Sequence, residues 1–269
     1  MKYDPIKQSL GRVFNVTPGL RILFYKLLDL LLLRSWHIRK ELKALKKEGF
    51  HPSVIADAGS GFGQYVHTLG RLFPMARILG MDIKQEQVDD CNRFFGKLEM
   101  GERIAFACTD LTLLDEKEAW DLVLSVDVME HIEEDRLVFR HFWNGLRPGG
   151  ILLISTPSDQ GGSDVHHDED ESFIEEHVRD GYGVEELRVK LTEAGFREVD
   201  VRYSYGKPGK LSWKLSMKYP ILLANQGKLF LLLLPFYYLI AYPVCFFLNR
   251  ADVRRSHSTG TGLIVRAKK

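Results

Sequence analysis

A chain of 269 residues with 45% hydrophobic content is long enough for one domain with a sizeable core plus appendages. Its net charge of +1 creates no global field toward nucleic acid, so a DNA- or RNA-binding role gets no support. The three cysteines, Cys91, Cys108 and Cys245, are scattered and lack metal spacing, and they read as buried, reduced thiols in a cytosolic protein. The first residues, MKYDPIKQSLGRVF, have no continuous apolar core behind their basic side chains and do not read as a secretory signal.

In chain order, Leu20 to Leu33 predicts a leucine-rich helix with Leu20, Phe24, Leu27 and Leu31 on one stripe. Arg21, Lys26 and Asp29 interrupt it, so it does not read as a bilayer crossing. Either it caps the core or it lies on a membrane surface, and the flanking Arg34, Arg39 and Lys40 fit both. A polar helical tail follows to Lys47, with Gly49 as its stop.

The stretch VIADAGSGFGQY, residues 54–65, reads as a buried strand ending at Asp57, then a glycine turn through Gly59, Gly61 and Gly63. Val66, Leu69 and Phe73 predict the helix after it. The spacing is G-x-G-x-G rather than the dinucleotide G-x-G-x-x-G, and Asp57 stands where a pyrophosphate would be repelled but an ammonium group welcomed. RILGMD is a second strand ending in Asp82, about 20 residues on, the distance at which a carboxylate meets ribose hydroxyls. A helix with Val88, Cys91, Phe95 and Leu98 inside leads to the strand RIAFAC, and Thr109 and Asp110 after it are also good helix caps.

The fourth strand and its exit, DLVLSVDVMEHIEED, bring Asp127, Glu130 and His131 to the carboxyl edge, where ligands bind in open parallel sheets. Val138, Phe142 and Leu146 predict a helix, LRPGG its end, and ILLIST the fifth strand. Beyond Pro157 lies a long acidic loop with His166, His167 and His177, read as a substrate lid; its H-H-D-E-D run lacks ligand spacing, so no metal is expected. A helix stopped by Gly195 and the strand REVDVRYSY follow.

These motifs together resemble the class I S-adenosylmethionine-dependent methyltransferases, closest to the quinone and small-molecule, type 11-like group. The resemblance covers residues 52–205 and the final strand, TGLIVRAKK. It implies an α/β, Rossmann-like seven-stranded sheet in order 3-2-1-4-5-7-6 with strand 7 antiparallel, and S-adenosyl-L-methionine as cofactor. It implies cofactor contacts from Asp57, Gly59, Ser60, Gly61, Gly63, Asp82 with Ile83, Asp110 with Leu111, Ser125 and Asp127. Asp110 would meet the adenine amino group, unless it serves only as a cap. His131, His166 and His167 are the candidates for proton acceptance, because imidazole titrates near working pH.

The expected organisation is an N-terminal helical extension over residues 1–50, a cofactor-binding domain over 51–205 plus 258–269, and an apolar insert over 206–257. From Leu229 to Leu248 the insert has no charge, and by length and polarity it qualifies as a membrane segment. Strands six and seven share one sheet, so a single crossing is forbidden: the insert dips in and out, lies flat, or crosses twice. Pro235 and Pro243 suit a bent, dipping helix, and the stretch 211–219 fits strand or helix. The expected function is methyl transfer to a hydrophobic or membrane-borne acceptor by a protein held at the inner face of a membrane. The alternatives are a non-catalytic membrane subunit of the same fold and, third, a dehydrogenase.

Overall fold

The computed structural model describes residues 17–161, 178–226 and 228–269. The chain opens with two helices, α1 (Pro18–Leu31) and α2 (Leu33–Lys47). Thr17 caps α1 with its hydroxyl and Pro18 presets the first turn. The single helix read from the leucine pattern is thus two, broken at Leu32, whose backbone is extended; Ile38, Leu42 and Leu45 of the second join an apolar layer of the sheet.

Six strands and four helices follow: β1 (Val54–Ala58), α3 (Gln64–Leu72), β2 (Arg77–Asp82), α4 (Gln85–Lys97), β3 (Ile104–Cys108), β4 (Trp120–Val126), α5 (Asp135–Gly145), β5 (Leu146–Pro157), α6 (Val184–Ala194) and β6 (Glu198–Ser204). With β7 (Gly262–Lys268) they make a seven-stranded sheet in order β3-β2-β1-β4-β5-β7-β6. β7 is antiparallel to both neighbours and the other paired strands run parallel, so β6 points the same way as β1. The expected sheet order and the expected antiparallel last strand are those observed.

Two apolar layers hold the helices to the sheet. On one face Val138, Phe139 and Phe142 of α5 and Leu187 and Leu191 of α6 pack on Val123, Leu152 and Val265. On the other, Ile38, Leu42 and Leu45 of α2, with Val66, Leu69 and Phe95, pack on Ile55, Leu122 and Leu153. All of these are removed from water, and at about 25 cal/mol per Å² such burial is the main term opposing chain entropy.

Several sequence expectations need correction here. Leu146 does not close the inner face of α5; it opens β5 and pairs with Trp120 across a bulge. Cys91 and Cys245 are buried, but Cys108, at the open end of edge strand β3, is exposed. The stretch 211–219 is helical: α7 (Lys207–Trp213) runs through a wide turn at Lys214–Lys218 into α8 (Tyr219–Gln226). The long helix α9 (Lys228–Arg254) then continues through Pro235 and Pro243 instead of breaking. It packs antiparallel on α7 and the wide turn. The Tyr237 and Tyr238 hydroxyls donate to the Leu215 and Ser216 carbonyls, both at 2.7 Å, and Cys245 lies against Ser212. These contacts hold one face of α9 while the prolines each remove one backbone donor. Among the described residues no helix is long and apolar enough to cross a membrane.

The foot of this helical pair is fixed to the body by a buried carboxylate. Asp252 accepts from the Gly209 N–H at 2.9 Å and bonds the imidazole of His37, also at 2.9 Å, with His257 alongside. Burial works against its charge, but these partners hold its carboxyl below the usual range.

Candidate active site

The glycine turn is held from both sides. Gly59 and Ser60 donate their N–H groups to the Met81 carbonyl, and the Asp82 carboxylate accepts from Gly61 N and Lys84 N at 2.9 Å each. A Cβ on Gly59 would lie 2.1 Å from a Val128 methyl, so that glycine is required by protein packing. Gly61 differs: its φ is +51° and a Cβ there would meet nothing closer than 3.9 Å, so the open side of the turn is at Gly61. From outside, α1 clamps the same turn. Buried Arg21 donates to the Phe62 carbonyl at 2.7 Å and pairs with Asp90, while the Tyr25 hydroxyl also donates to Phe62 O. α1 therefore caps the core, one of the two roles its sequence allowed.

Beneath the turn lie polar groups without partners. Asp57 is 1% exposed, and neither carboxylate oxygen has a hydrogen-bond partner among the described residues. The same holds for the buried hydroxyls of Ser60 and of Ser125, whose strand pairs with Asp57's. Burial, reinforced by the charge of Asp82, pushes the Asp57 carboxyl up to about 8. An unpaired buried acid is costly, and a cationic ligand group is one way to offset that cost.

Asp110 caps the short turn Leu111–Leu113, accepting from Thr112 N at 2.9 Å and Thr112 Oγ1 at 2.7 Å, so the cap role is present. Leu111 beside it is buried, and Ile83 after Asp82 is 66% exposed.

A second polar cluster gathers at the carboxyl edge above β4, β5 and β6. Asp127 leaves β4 with φ +51° and pairs with the Arg34 guanidinium from the first turn of α2. The Tyr205 hydroxyl, just beyond β6 with φ +54°, accepts from the Arg34 N–H at 3.0 Å. Tyr65 lies 3.2 Å from the Ser35 hydroxyl. Desolvation pushes the Tyr65 phenol up to about 12, against the opposing field of Arg34, and raises Tyr205 likewise. Two non-glycine residues held in the left-handed region at one spot mark strain maintained by surrounding structure. Behind Asp127 sits Glu130, 1% exposed, with Thr156 Oγ1 donating to its Oε2 at 3.0 Å. Burial first, then the charge of Asp127, lifts its carboxyl to about 8.

His131 ends the turn Met129–His131 and is half-buried on the same loop. His166, His167 and His177 lie outside the described residues. The structure thus brings Asp57, the glycine turn, Ser60, Asp82, Ser125, Asp127 and His131 to one edge of the sheet. Sequence reasoning passed over Arg34, Tyr65, Thr156 and Tyr205. In the sequence Arg34 reads as a cation flanking a helix that either caps the core or lies on a membrane surface. Tyr65 and Tyr205 end the very strings quoted for the turn and strand six, and an aromatic at such an exit was the available signal.

Comparison with known proteins gives this geometry a family. Residues 56–154 match the family described as a methyltransferase domain. The chain carries a class I S-adenosylmethionine-dependent methyltransferase domain of the type 11 group. Its curated relatives include the trans-aconitate 2-methyltransferase of Streptomyces avermitilis, 31% identical over 39% of this chain and 39% of that protein. The ubiquinone biosynthesis O-methyltransferase of Bradyrhizobium diazoefficiens is 28% identical over 38% and 39%. The match with this chain spans about two-fifths of the length of these relatives. Among solved structures, the Haemonchus contortus phosphoethanolamine N-methyltransferase 2 with S-adenosyl-L-methionine aligns with a TM-score of 0.58 at 17% identity, covering 86% of this chain and 52% of that one. The 4+2 cyclase SpnF aligns at 0.54 and 18%, covering 81% and 75%. At these identities the likeness is one of fold, and the cyclase shows that the fold alone does not specify the reaction. The residues of the methyltransferase domain fit the cofactor of its class: an unpaired acid at Asp57, a carboxylate at Asp82, and a turn open at Gly61.

Proposed function

We propose that this protein transfers the methyl group of S-adenosyl-L-methionine to a hydrophobic, membrane-borne small molecule such as a quinone precursor, a phenolic lipid or a polyprenyl-linked acceptor. The cofactor supplies a methyl group already activated on a sulfonium. Asp57 would meet its ammonium, Asp82 with Ile83 its ribose side, and Asp110 and the Leu111 N–H its adenine. The work left to the chain is to align the acceptor, exclude water and, where the acceptor carries a proton, remove it.

One observation carries the membrane reading. α7 starts two residues after Tyr205, so the helical pair rises from the edge that holds the Arg34–Asp127 cluster. α9 points Phe236, Leu239, Ile240 and Phe247 outward, each 68% exposed or more. Leu20, Leu23, Leu27 and Leu30 add an exposed stripe on α1, and the Trp36 ring, whose indole N–H donates to Leu30 O, packs edge-on against Phe246 of α9. An apolar surface of this kind aggregates in water unless covered, and a bilayer would cover it while supplying the acceptor. Lys207, Lys210, Lys214 and Lys218, with Arg250, Arg254 and Arg255, suit anionic headgroups. The protein would then sit peripherally on the inner leaflet.

The test is flotation with anionic liposomes, comparing the intact protein with one whose residues 207–257 are replaced by a short turn. The intact protein floats and the shortened one stays at the bottom; equal behaviour of the two removes the membrane reading. Labelled methyl groups from S-adenosylmethionine recovered in a lipid extract separate an enzyme from a non-catalytic binding subunit.

A further inference from the structure

The cluster at Asp127 contains more than a cofactor site needs. Glu130 is buried, is hydrogen-bonded by Thr156 from the end of β5, and is held in place by the chain leading into α6. Val178 donates its N–H to the Glu130 carbonyl at 3.1 Å, the Tyr182 hydroxyl donates to Met129 O at 2.9 Å, and Arg179 binds Ile132 O at 2.7 Å. Two segments far apart in sequence, the end of β5 and residues 178–182, therefore fix the loop that carries this carboxylate at the sheet edge, Thr156 through the carboxylate itself and the others through the loop's backbone carbonyls. Arg34 from α2 and Asp127 from the β4 exit form the outer layer, their side chains 33% and 30% exposed. Asp127 is committed to Arg34 by an ion pair, whereas the side-chain partner of Glu130 among the described residues is a neutral hydroxyl.

We propose that Glu130 is the catalytic base of the methyl transfer and that the acceptor atom is a hydroxyl oxygen, a phenol in particular. This rests on the reading that the domain binds S-adenosylmethionine. The acceptor's O–H bond breaks and its proton passes to the Glu130 carboxylate. The oxygen's electron pair forms the new O–CH3 bond as the S–CH3 bond breaks, and that bonding pair stays on sulfur to leave a neutral thioether. The other acceptor classes fit this cluster less well. A carboxylic acid needs no base and would bring a third negative charge beside Asp127 and Glu130, while an amine attacks through a lone pair it already has. Tyr65 and Tyr205, with Arg34, surround the reacting hydroxyl with donors suited to a developing phenolate.

The groups facing Glu130 set the pH at which it works. Burial and Asp127 raise its carboxyl to about 8, Thr156 and Arg34 oppose them, and Tyr182 stands nearby on the segment before α6. The base form therefore gains population as pH rises through about 8, giving kcat/KM an acid limb there.

The experiment uses the full-length protein in detergent, with Glu130→Gln and His131→Asn as variants. The probe is a polyprenyl catechol; a fatty acid and a phosphoethanolamine lipid of similar chain length serve as comparison acceptors. First, with S-adenosylhomocysteine in place of the methyl donor, ultraviolet difference spectra read catecholate formation on binding, with no transfer involved. Wild type and His131→Asn show it and Glu130→Gln does not. With labelled S-adenosylmethionine, the label enters the catechol as an alkali-stable ether. Glu130→Gln lowers kcat by at least about 100-fold, with S-adenosylhomocysteine affinity within about two-fold of wild type, and its acid limb disappears. The proposal is overturned by label entering only the fatty acid or the amine, by no label in any probe from a protein that binds the cofactor, by full kcat in Glu130→Gln, or by an acid limb lost only in His131→Asn. Failure to bind S-adenosylhomocysteine at all would instead remove the cofactor reading beneath it.

Discussion

The glycine turn and the long helix α9 depart from the ordinary rules of folding in opposite directions. At the turn, the buried side-chain oxygens of Asp57, Ser60 and Ser125 have no hydrogen-bond partner among the described residues. On α9, apolar rings and branches are turned outward, and Ile240 is 77% exposed. The first region is rigid by construction, clamped by Arg21 and Tyr25 on one side and by Asp82 on the other. The second is fixed at its foot, through Asp252 with His37, His257 and Gly209, along one side by tyrosine hydroxyls and Cys245, and by Trp36 against Phe246. The first departure costs stability in the isolated chain, while the second leaves apolar area open to solvent; on the function proposed above, a cationic small molecule would relieve the one and a lipid surface would cover the other.

The comparison breaks most sharply at Gly61. Gly61→Val puts a β-branched residue into a left-handed conformation and fills the open side of the turn. We expect at least a 100-fold loss of S-adenosylhomocysteine affinity, about 3 kcal/mol, measured by calorimetry on a protein whose circular dichroism is unchanged. Normal affinity in a folded variant would mean that the ligand lies elsewhere.

On the other region, the triple change Phe236→Ser, Leu239→Ser and Ile240→Ser removes apolar area already open to solvent. It should leave thermal stability nearly untouched while weakening liposome binding by about 3 kcal/mol, roughly 1 kcal/mol per side chain withdrawn from lipid. A drop in melting temperature with undiminished flotation would mean that this face packs against protein.

Asp82→Ala should cost about 1.5 to 3 kcal/mol of cofactor affinity, since charge-assisted bonds to the ribose and the acceptor for Gly61 N are lost together. Restoring a carboxylate as Asp82→Glu should recover part of it; calorimetry reads both.

The smallest effect separates the buried acid from its neighbours. With its carboxyl at about 8, Asp57 is protonated at neutral pH in the free protein and must release a proton to meet an ammonium group. Cofactor affinity should rise between pH 6 and 9, with proton release seen as a dependence of the binding enthalpy on buffer, and Asp57→Asn should abolish that dependence. For the free protein the sign is the reverse. A folded-state value above the unfolded one gives stability that is full below about 4 and is lost as pH rises through about 8, so Asp57→Asn should flatten that decline in thermal melts.

What the sequence determined by itself was whatever depends on local spacing. Alternation of apolar strands with amphipathic helices marked the elements, and the resemblance of their motifs to the class I methyltransferases implied the sheet order that is observed. Asp57, Gly59, Gly61 and Gly63 sit within seven residues, and Asp82 follows at a fixed interval, so one strand–turn–helix unit and its neighbour carry the cofactor side. The acceptor side was not legible in this way. Arg34, Tyr65, Asp127, Glu130, Thr156 and Tyr205 come from five segments spread over 171 positions, and no periodicity relates them. The same limit applied to the insert: its apolar composition was plain, but a pair of helices holding together through Tyr237, Tyr238 and Cys245 depends on which carbonyls a wide turn presents. Local pattern decides where strands and turns form, because those choices are set by side chains a few residues apart. Only the closed sheet decides which distant side chains share one desolvated edge, because the fields that shift Glu130 and strain Asp127 exist only after the strands have packed.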